Sequence, residues 1–108
     1  MNFEKYHFHI YFESNQLNIT KKMVEKLSKL DYPEIGRIWE RPVGPHPTNS
    51  CQITIFKDNF HQMTEWFLNN RNGLSIFVHA VTGNDLIDHT DYVMWIGRSY
   101  ELNIEFFS

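Results

Sequence analysis

The run Tyr6-His7-Phe8-His9-Ile10-Tyr11-Phe12 sets two histidines two residues apart in an alternating pattern. A strand repeats every two residues, so His7, His9 and Tyr11 project from one face while Phe8, Ile10 and Phe12 project from the other. At a rise of roughly 3.3 Å per residue, the imidazoles stand about 7 Å apart along the strand. A neutral imidazole is the commonest protein ligand for a transition metal, so this pair is the beginning of a metal site. The same pattern also suits a half-buried strand whose polar face is rich in histidine.

Other residues could join such a site. His46 lies between Pro45 and Pro47, and rigid prolines suit a side chain that must be aimed. His89 stands in Asp88-His89-Thr90-Asp91, where a neighbouring acid could orient its ring and raise its basicity. Two histidines and one carboxylate form the common set for non-heme Fe(II) oxygenases, which makes Glu13 and Glu40 candidate ligands. Arg37, Arg41 and Arg71 could grip a substrate carboxylate with two parallel hydrogen bonds. Arg71 equally suits the negative end of a helix dipole. Tyr11, on the histidine face, is a candidate substrate contact.

The elements that must position these groups can be read in order. Asn18 or Thr20 can cap a helix to about Leu30, with Met23, Val24, Leu27 and Leu30 forming one apolar stripe. Pro33 follows the end of that helix. Ile35 to Arg41 reads as a second strand, which Pro42-Val43-Gly44-Pro45-His46-Pro47 cannot continue. Cys51 to Phe56 reads as a third strand. Asp58 or Asn59 can cap a second helix to about Asn70, and Asn72-Gly73 closes it, glycine accepting the left-handed backbone. Leu74 to His79 is a fourth strand. Tyr92 to Ile96 and Tyr100 to Phe107 are further strands or extended arms.

The order strand-helix-strand-strand-helix-strand predicts an α+β, ferredoxin-like βαββαβ sandwich with strand order 4-1-3-2 and a C-terminal extension. Ile10, Ile53, Ile55, Ile76 and Val78 then face the helices. His7, His9, Tyr11, Gln52, Thr54, Ser75, Phe77 and His79 line the opposite face. The fourth strand neighbours the first, so His79 can approach His7 or His9. A face so rich in aromatics needs covering by the C-terminal segments or by a second subunit. A homodimer, forming an α+β barrel, is therefore expected.

Composition narrows the class. With 108 residues, 16% aromatic and 21% charged, the chain suits one folded domain over residues 1–108 and not a disordered segment. A net charge of −3 without a basic block excludes a nucleic-acid footprint. The single cysteine, Cys51, excludes an internal disulfide and reads as a buried, inert thiol. No apolar run approaches the roughly 18 residues of a membrane span, and the first residues lack a secretory apolar region, so a cytoplasmic protein is expected.

The chain resembles the DOPA 4,5-dioxygenase family of aromatic ring-opening enzymes. The resemblance is carried by Tyr6-His7-Phe8-His9-Ile10-Tyr11-Phe12, Glu34-Ile35-Gly36-Arg37, Pro42-Val43-Gly44-Pro45-His46-Pro47 and Asn70-Arg71-Asn72-Gly73-Leu74-Ser75-Ile76-Phe77-Val78-His79. Thr82-Gly83-Asn84-Asp85-Leu86, Asp88-His89-Thr90-Asp91 and Trp95-Ile96-Gly97 complete it. It implies extradiol cleavage of a catechol such as DOPA by dioxygen at non-heme Fe(II). The family histidines fall on His7, His9, His46, His79 and His89. Trp39 and Tyr92 stand where relatives often carry histidine, and Ala80 stands where proline is common.

These readings together expect metal ligation by His7, His9 and His79, which the sheet would bring together. His46 and His89 are expected as catalytic acid-base groups, and Arg37, Arg71 and Tyr11 as substrate contacts. The alternative is a non-catalytic dimeric protein that uses the same cavity for a small ligand or a metal.

Overall fold

Strand β1 (Lys5–Phe12) lies at the centre of the sheet in the computed structural model, which describes residues 2–108. Its partners are β3 (Asn49–Phe56) on one side and β4 (Ser75–Ala80) on the other, both antiparallel. Strand β2 (Glu34–Trp39) flanks β3, and β5 (Val93–Ile96) flanks β4, giving the order β2-β3-β1-β4-β5. The first four strands thus have the order expected from the sequence, read from the other edge. Strand β5 is the added element. The sheet is open, with β2 and β5 as its edges, and does not close into a barrel within the chain.

Alternation decides which face is buried under the helices. Phe8, Ile10 and Phe12 of β1 join Cys51, Ile53 and Ile55 of β3 and Ile76 and Val78 of β4. Helix α1 (Leu17–Leu27) supplies Met23 and Leu27 to this core, and α2 (Phe60–Asn70) supplies Met63 and Phe67. Phe8 and Phe67 stack with ring centroids 5.6 Å apart. Each large apolar side chain removed from water stabilises the fold by about 1.5–3 kcal/mol.

Several boundaries differ from the sequence reading for local reasons. Helix α1 starts at Leu17 with Gln16 at its N-cap, so Asn18 and Thr20 lie inside the first turn. A 3₁₀ turn at Ser14–Gln16 precedes the helix, and the Gln16 side chain accepts the Glu13 amide at 2.9 Å. Thr20 is buried and donates its hydroxyl to the Gln16 carbonyl. The helix ends at Leu27, and turn bonds carry the chain to Leu30. Asn59 is the N-cap position of α2, and Asn72 and Gly73 both take positive φ after it.

Strand β2 stops at Trp39, short of Arg41, and its register with β3 shifts between Ile35 and Ile38. Within that irregular stretch a Cβ on Gly36 would meet the Gln52 carbonyl oxygen at 2.9 Å. Strand β3 begins at Asn49, two residues before Cys51. The Tyr100–Phe107 segment is not a strand; it ends in a 3₁₀ turn at Ile104–Phe107.

The second face of the sheet is covered by the chain itself. Tyr100 packs edge-on to Tyr11, Phe107 lies against His89, and the Asn103 amide donates to the Pro45 carbonyl at 2.9 Å. Of the two covers expected for that face, the C-terminal segments supply one. Among the described residues no helix is long and apolar enough to cross a membrane.

Candidate metal centre and its cavity

His7 and His9 project from β1 on the face turned away from α1 and α2, and His79 projects from β4 on the same face. Register explains how they meet. His7 stands directly opposite His79, while His9 stands opposite Phe77. The contact between His9 and His79 is therefore a diagonal one, within reach of long flat side chains. Their Nε2 atoms are 3.0 Å apart. The coordinating nitrogens of His7, His9 and His79 all lie within 4.8 Å of one another.

The hydrogen bonds around these rings bear on whether an ion fits. His79 donates Nδ1–H to the Ala80 carbonyl at 2.8 Å, which leaves Nε2 bare in the neutral ring. A second bare lone pair on His9 Nε2 would repel it at 3.0 Å, so the pair needs either a proton on His9 or a shared cation. Metal–imidazole bonds are about 2.0–2.1 Å, and two at right angles put their nitrogens about 3 Å apart. The His9–His79 pair already has that spacing, and His7 stands close enough to join by a small side-chain movement. The donor set fits a transition metal ion.

Electrostatics favour the ligating form. Burial pushes His7 down to about 4 and His79 down to about 3, the Ala80 hydrogen bond opposing the latter in part. His9 is fully enclosed, and burial, followed by the nearby His46 and His79, holds it well below its ordinary value. These rings are neutral at physiological pH, with lone pairs available.

A cavity of about 220 Å³ opens over the three rings. His46 and His89 line it along with His7, His9 and His79, and Pro45, Gln52, Asp85, Asp88 and Phe107 contribute to the walls. The His46 ring centroid is 4.2 Å from that of His9, and the His89 centroid is 4.1 Å from that of His79. His46 Nδ1 is hydrogen-bonded to the buried Tyr11 hydroxyl at 2.6 Å, and burial lowers His46 to about 4. His89 donates Nδ1–H to the Asp85 carbonyl at 2.7 Å, leaving Nε2 as its acceptor atom.

Other expected site residues are placed elsewhere. Arg37 lies over the Trp39 ring, 4.1 Å from its centroid, and does not line the cavity. Arg71 donates to the Leu74 carbonyl at 2.8 Å, bracing the turn after α2, and is also off the cavity wall. Glu40 is exposed, and Glu13 accepts from Tyr100, so neither completes a ligand set. The acids beside His89 do not orient it, since its ring is held by a backbone carbonyl. The Asp88 carboxylate, 1% exposed, takes the Thr82 amide at 2.7 Å and the Thr82 hydroxyl at 2.6 Å.

Trp39 and Tyr92 both lie outside the histidine cavity, Tyr92 packing against Phe3. Cys51 faces the helices, where burial raises its thiol to about 11. Sequence reasoning missed Asp85, Phe107 and the Tyr11–His46 pair. The last joins residues 35 positions apart, and no local pattern reports such a contact.

The sequence profile of the Dopa 4,5-dioxygenase family matches residues 6–106. A DOPA 4,5-dioxygenase from Amanita muscaria is 33% identical over 94% of this chain and 48% of its own length. An uncharacterized 21.2 kDa protein from Botryotinia fuckeliana is 29% identical over 94% of this chain and 61% of its own. The chain thus spans about half to three-fifths of these relatives. The crystal structure of a candidate dioxygenase from Nostoc punctiforme superposes with a TM-score of 0.93 at 33% identity, covering 97% of this chain and 91% of that one. With the profile matched across nearly its whole length, the chain belongs to the Dopa 4,5-dioxygenase family.

Proposed function

We propose that this protein is a non-heme, metal-dependent dioxygenase that opens the ring of a catechol by extradiol cleavage. His7, His9 and His79 would hold the metal, Fe(II) in this reading. The observation that carries the proposal is the 3.0 Å approach of His9 and His79 Nε2 beside His7, in a cavity lined by two further imidazoles. The names of the Amanita and Nostoc relatives support the reaction class.

Bound there, Fe(II) would supply Lewis acidity toward the catechol oxygens and the one-electron chemistry that dioxygen requires. The chain's own groups do the rest. His89 has its Nδ1–H committed to Asp85, so Nε2 is the atom that accepts a proton from a catechol hydroxyl. His46 has its Nδ1 committed to Tyr11, so its Nε2 is the atom left to face the reacting ring. Phe107 and Pro45 form part of the cavity wall. Both atoms of dioxygen end in the ring-opened product. The non-catalytic alternative drew on Trp39 and Tyr92, and neither residue lines the cavity.

Metal analysis of protein purified without chelator, followed by an absorbance assay with DOPA and Fe(II) in air, tests the proposal. A yellow ring-opened product that disappears in His9→Ala is expected. Absence of bound metal together with no product from any catechol would overturn it.

A further inference from the structure

A second, larger cavity of about 690 Å³ adjoins the histidine cavity and shares His89 with it as a common wall. Its aromatic lining is Phe77, Trp95 and Tyr100, with Trp95 and Tyr100 roughly parallel at 6.3 Å between centroids. A catechol seated at the histidines with its ring against His89 would extend its side chain into this groove. The sign of charge on the groove wall then bears on which catechol fits.

The charged residues that line the groove are Glu101 and Glu105, and those that line the histidine cavity, apart from its imidazoles, are Asp85 and Asp88. Among the described residues no lysine or arginine lines either cavity. Among the described residues Glu101, Glu105 and Asp85 take part in no ion pair. Arg98, the arginine next to Tyr100 in the fold, lies over that ring at 4.6 Å. Aromatic faces attract a cation and repel an anion by their quadrupole. The two arginines expected to hold a carboxylate, Arg37 and Arg71, are committed to Trp39 and to the Leu74 carbonyl.

We infer that the substrate is a catechol whose side chain ends in an ammonium group, held in the groove between Trp95, Tyr100, Glu101 and Glu105, and that a carboxylate on that side chain is disfavoured. The inference rests on the catechol reading of the histidine site. It replaces the acidic side chain that the arginines had suggested with a cationic one.

Calorimetric titration of the Fe(II)-loaded full chain under nitrogen tests it without turnover. The ligands are dopamine, 4-ethylcatechol, L-DOPA and 3-(3,4-dihydroxyphenyl)propionate. Dopamine should bind most tightly and the propionate most weakly, with a ratio of roughly tenfold or more that shrinks as salt is raised. The double variant Glu101→Gln/Glu105→Gln should narrow the ratio of dopamine to 4-ethylcatechol affinity by about two- to fivefold per charge. Equal or tighter binding of the propionate, or an unchanged ratio in the variant, overturns the inference. Selective binding of dopamine without ring opening in air would uphold it and sink the dioxygenase reading. No binding of any catechol at millimolar concentration overturns both.

Discussion

His9 and His79 meet on a diagonal between β1 and β4, with Nε2 atoms 3.0 Å apart, although neither is the other's partner in the strand register. A one-residue slip of β1 against β4 would turn His9 to the helix side and destroy the pair, so the proposed metal site depends directly on strand register. Removing a group that merely orients a ligand costs 10–100-fold in metal affinity, so His9→Ala should lose roughly a hundredfold or more. Competition titration against a metal-binding dye measures this. Retention of near wild-type affinity would remove His9 from the ligand set.

Tyr11→Phe removes the hydroxyl that holds His46 Nδ1. Leaving that nitrogen without a partner should cost about 1–3 kcal/mol of stability. The ring of His46 would also lose its fixed orientation, so kcat should fall about tenfold while KM changes little, as for a group that acts on the reacting state. A shifted acid limb in the pH–rate profile would tie the effect to His46. An unchanged profile and kcat would leave Tyr11 a packing residue.

The stability of the metal-free protein should depend on pH through the same rings. His7 and His46 bind a proton with values near 4, and His79 near 3, against an ordinary histidine value of 6.5 that the unfolded chain keeps. Above about pH 7.5 neither state is appreciably protonated and stability is at its plateau. As pH falls below that, the unfolded chain takes up protons that the folded chain refuses, so stability declines. The decline continues past pH 4 toward pH 3, at no more than about 1.4 kcal/mol per pH unit for each ring and less for the part-exposed His7 and His46. Urea unfolding at pH 7.5, 6, 5 and 4 would show it. A flat profile over this range would mean that the rings are hydrated.

Arg71 braces the turn between α2 and β4 through the Leu74 carbonyl, and it packs against Gly97. Arg71→Ala should lower stability by about 1.5–3 kcal/mol, the usual worth of a hydrogen bond from a charged group. Ring-opening kinetics with acidic and neutral catechols should change in equal proportion. A KM increase confined to acidic catechols would restore Arg71 as a substrate contact.

Trp39→His and Tyr92→His introduce the histidines that the family resemblance led one to expect, but at positions outside the histidine cavity. Arg37 and Arg41 both lie over the Trp39 ring, and Tyr92 packs on Phe3. Neither variant should raise kcat/KM more than about twofold, which is under half a kcal/mol. A large gain would show that one of these positions reaches the reacting groups.

Alternation in Tyr6 to Phe12 was enough to place His7 and His9 on one face, and the order of elements was enough to put His79 next to them. Those inferences depend on periodicity and on short connections, which are local properties. The start of α1 was misplaced because a 3₁₀ turn precedes it, and such a turn leaves little trace in a pattern of apolar residues. The fates of Arg37 and Arg71 were hidden for a different reason. A long flexible cation takes whichever acceptor or ring the tertiary fold brings within reach, here Trp39 and the Leu74 carbonyl. Likewise, the Asp88 carboxylate is claimed by Thr82, which no spacing rule would single out from the other nearby donors.

The central position of β1 has one more implication. Its two histidines sit on a strand bonded along both sides, while His46, His89 and the groove residues 100–105 come from connections and the C-terminal segment. Substitutions in those outer segments leave the ladder that spaces the proposed metal ligands untouched. Within one lineage the preferred ligand can then drift by change at the periphery alone, while the histidine ladder is inherited intact.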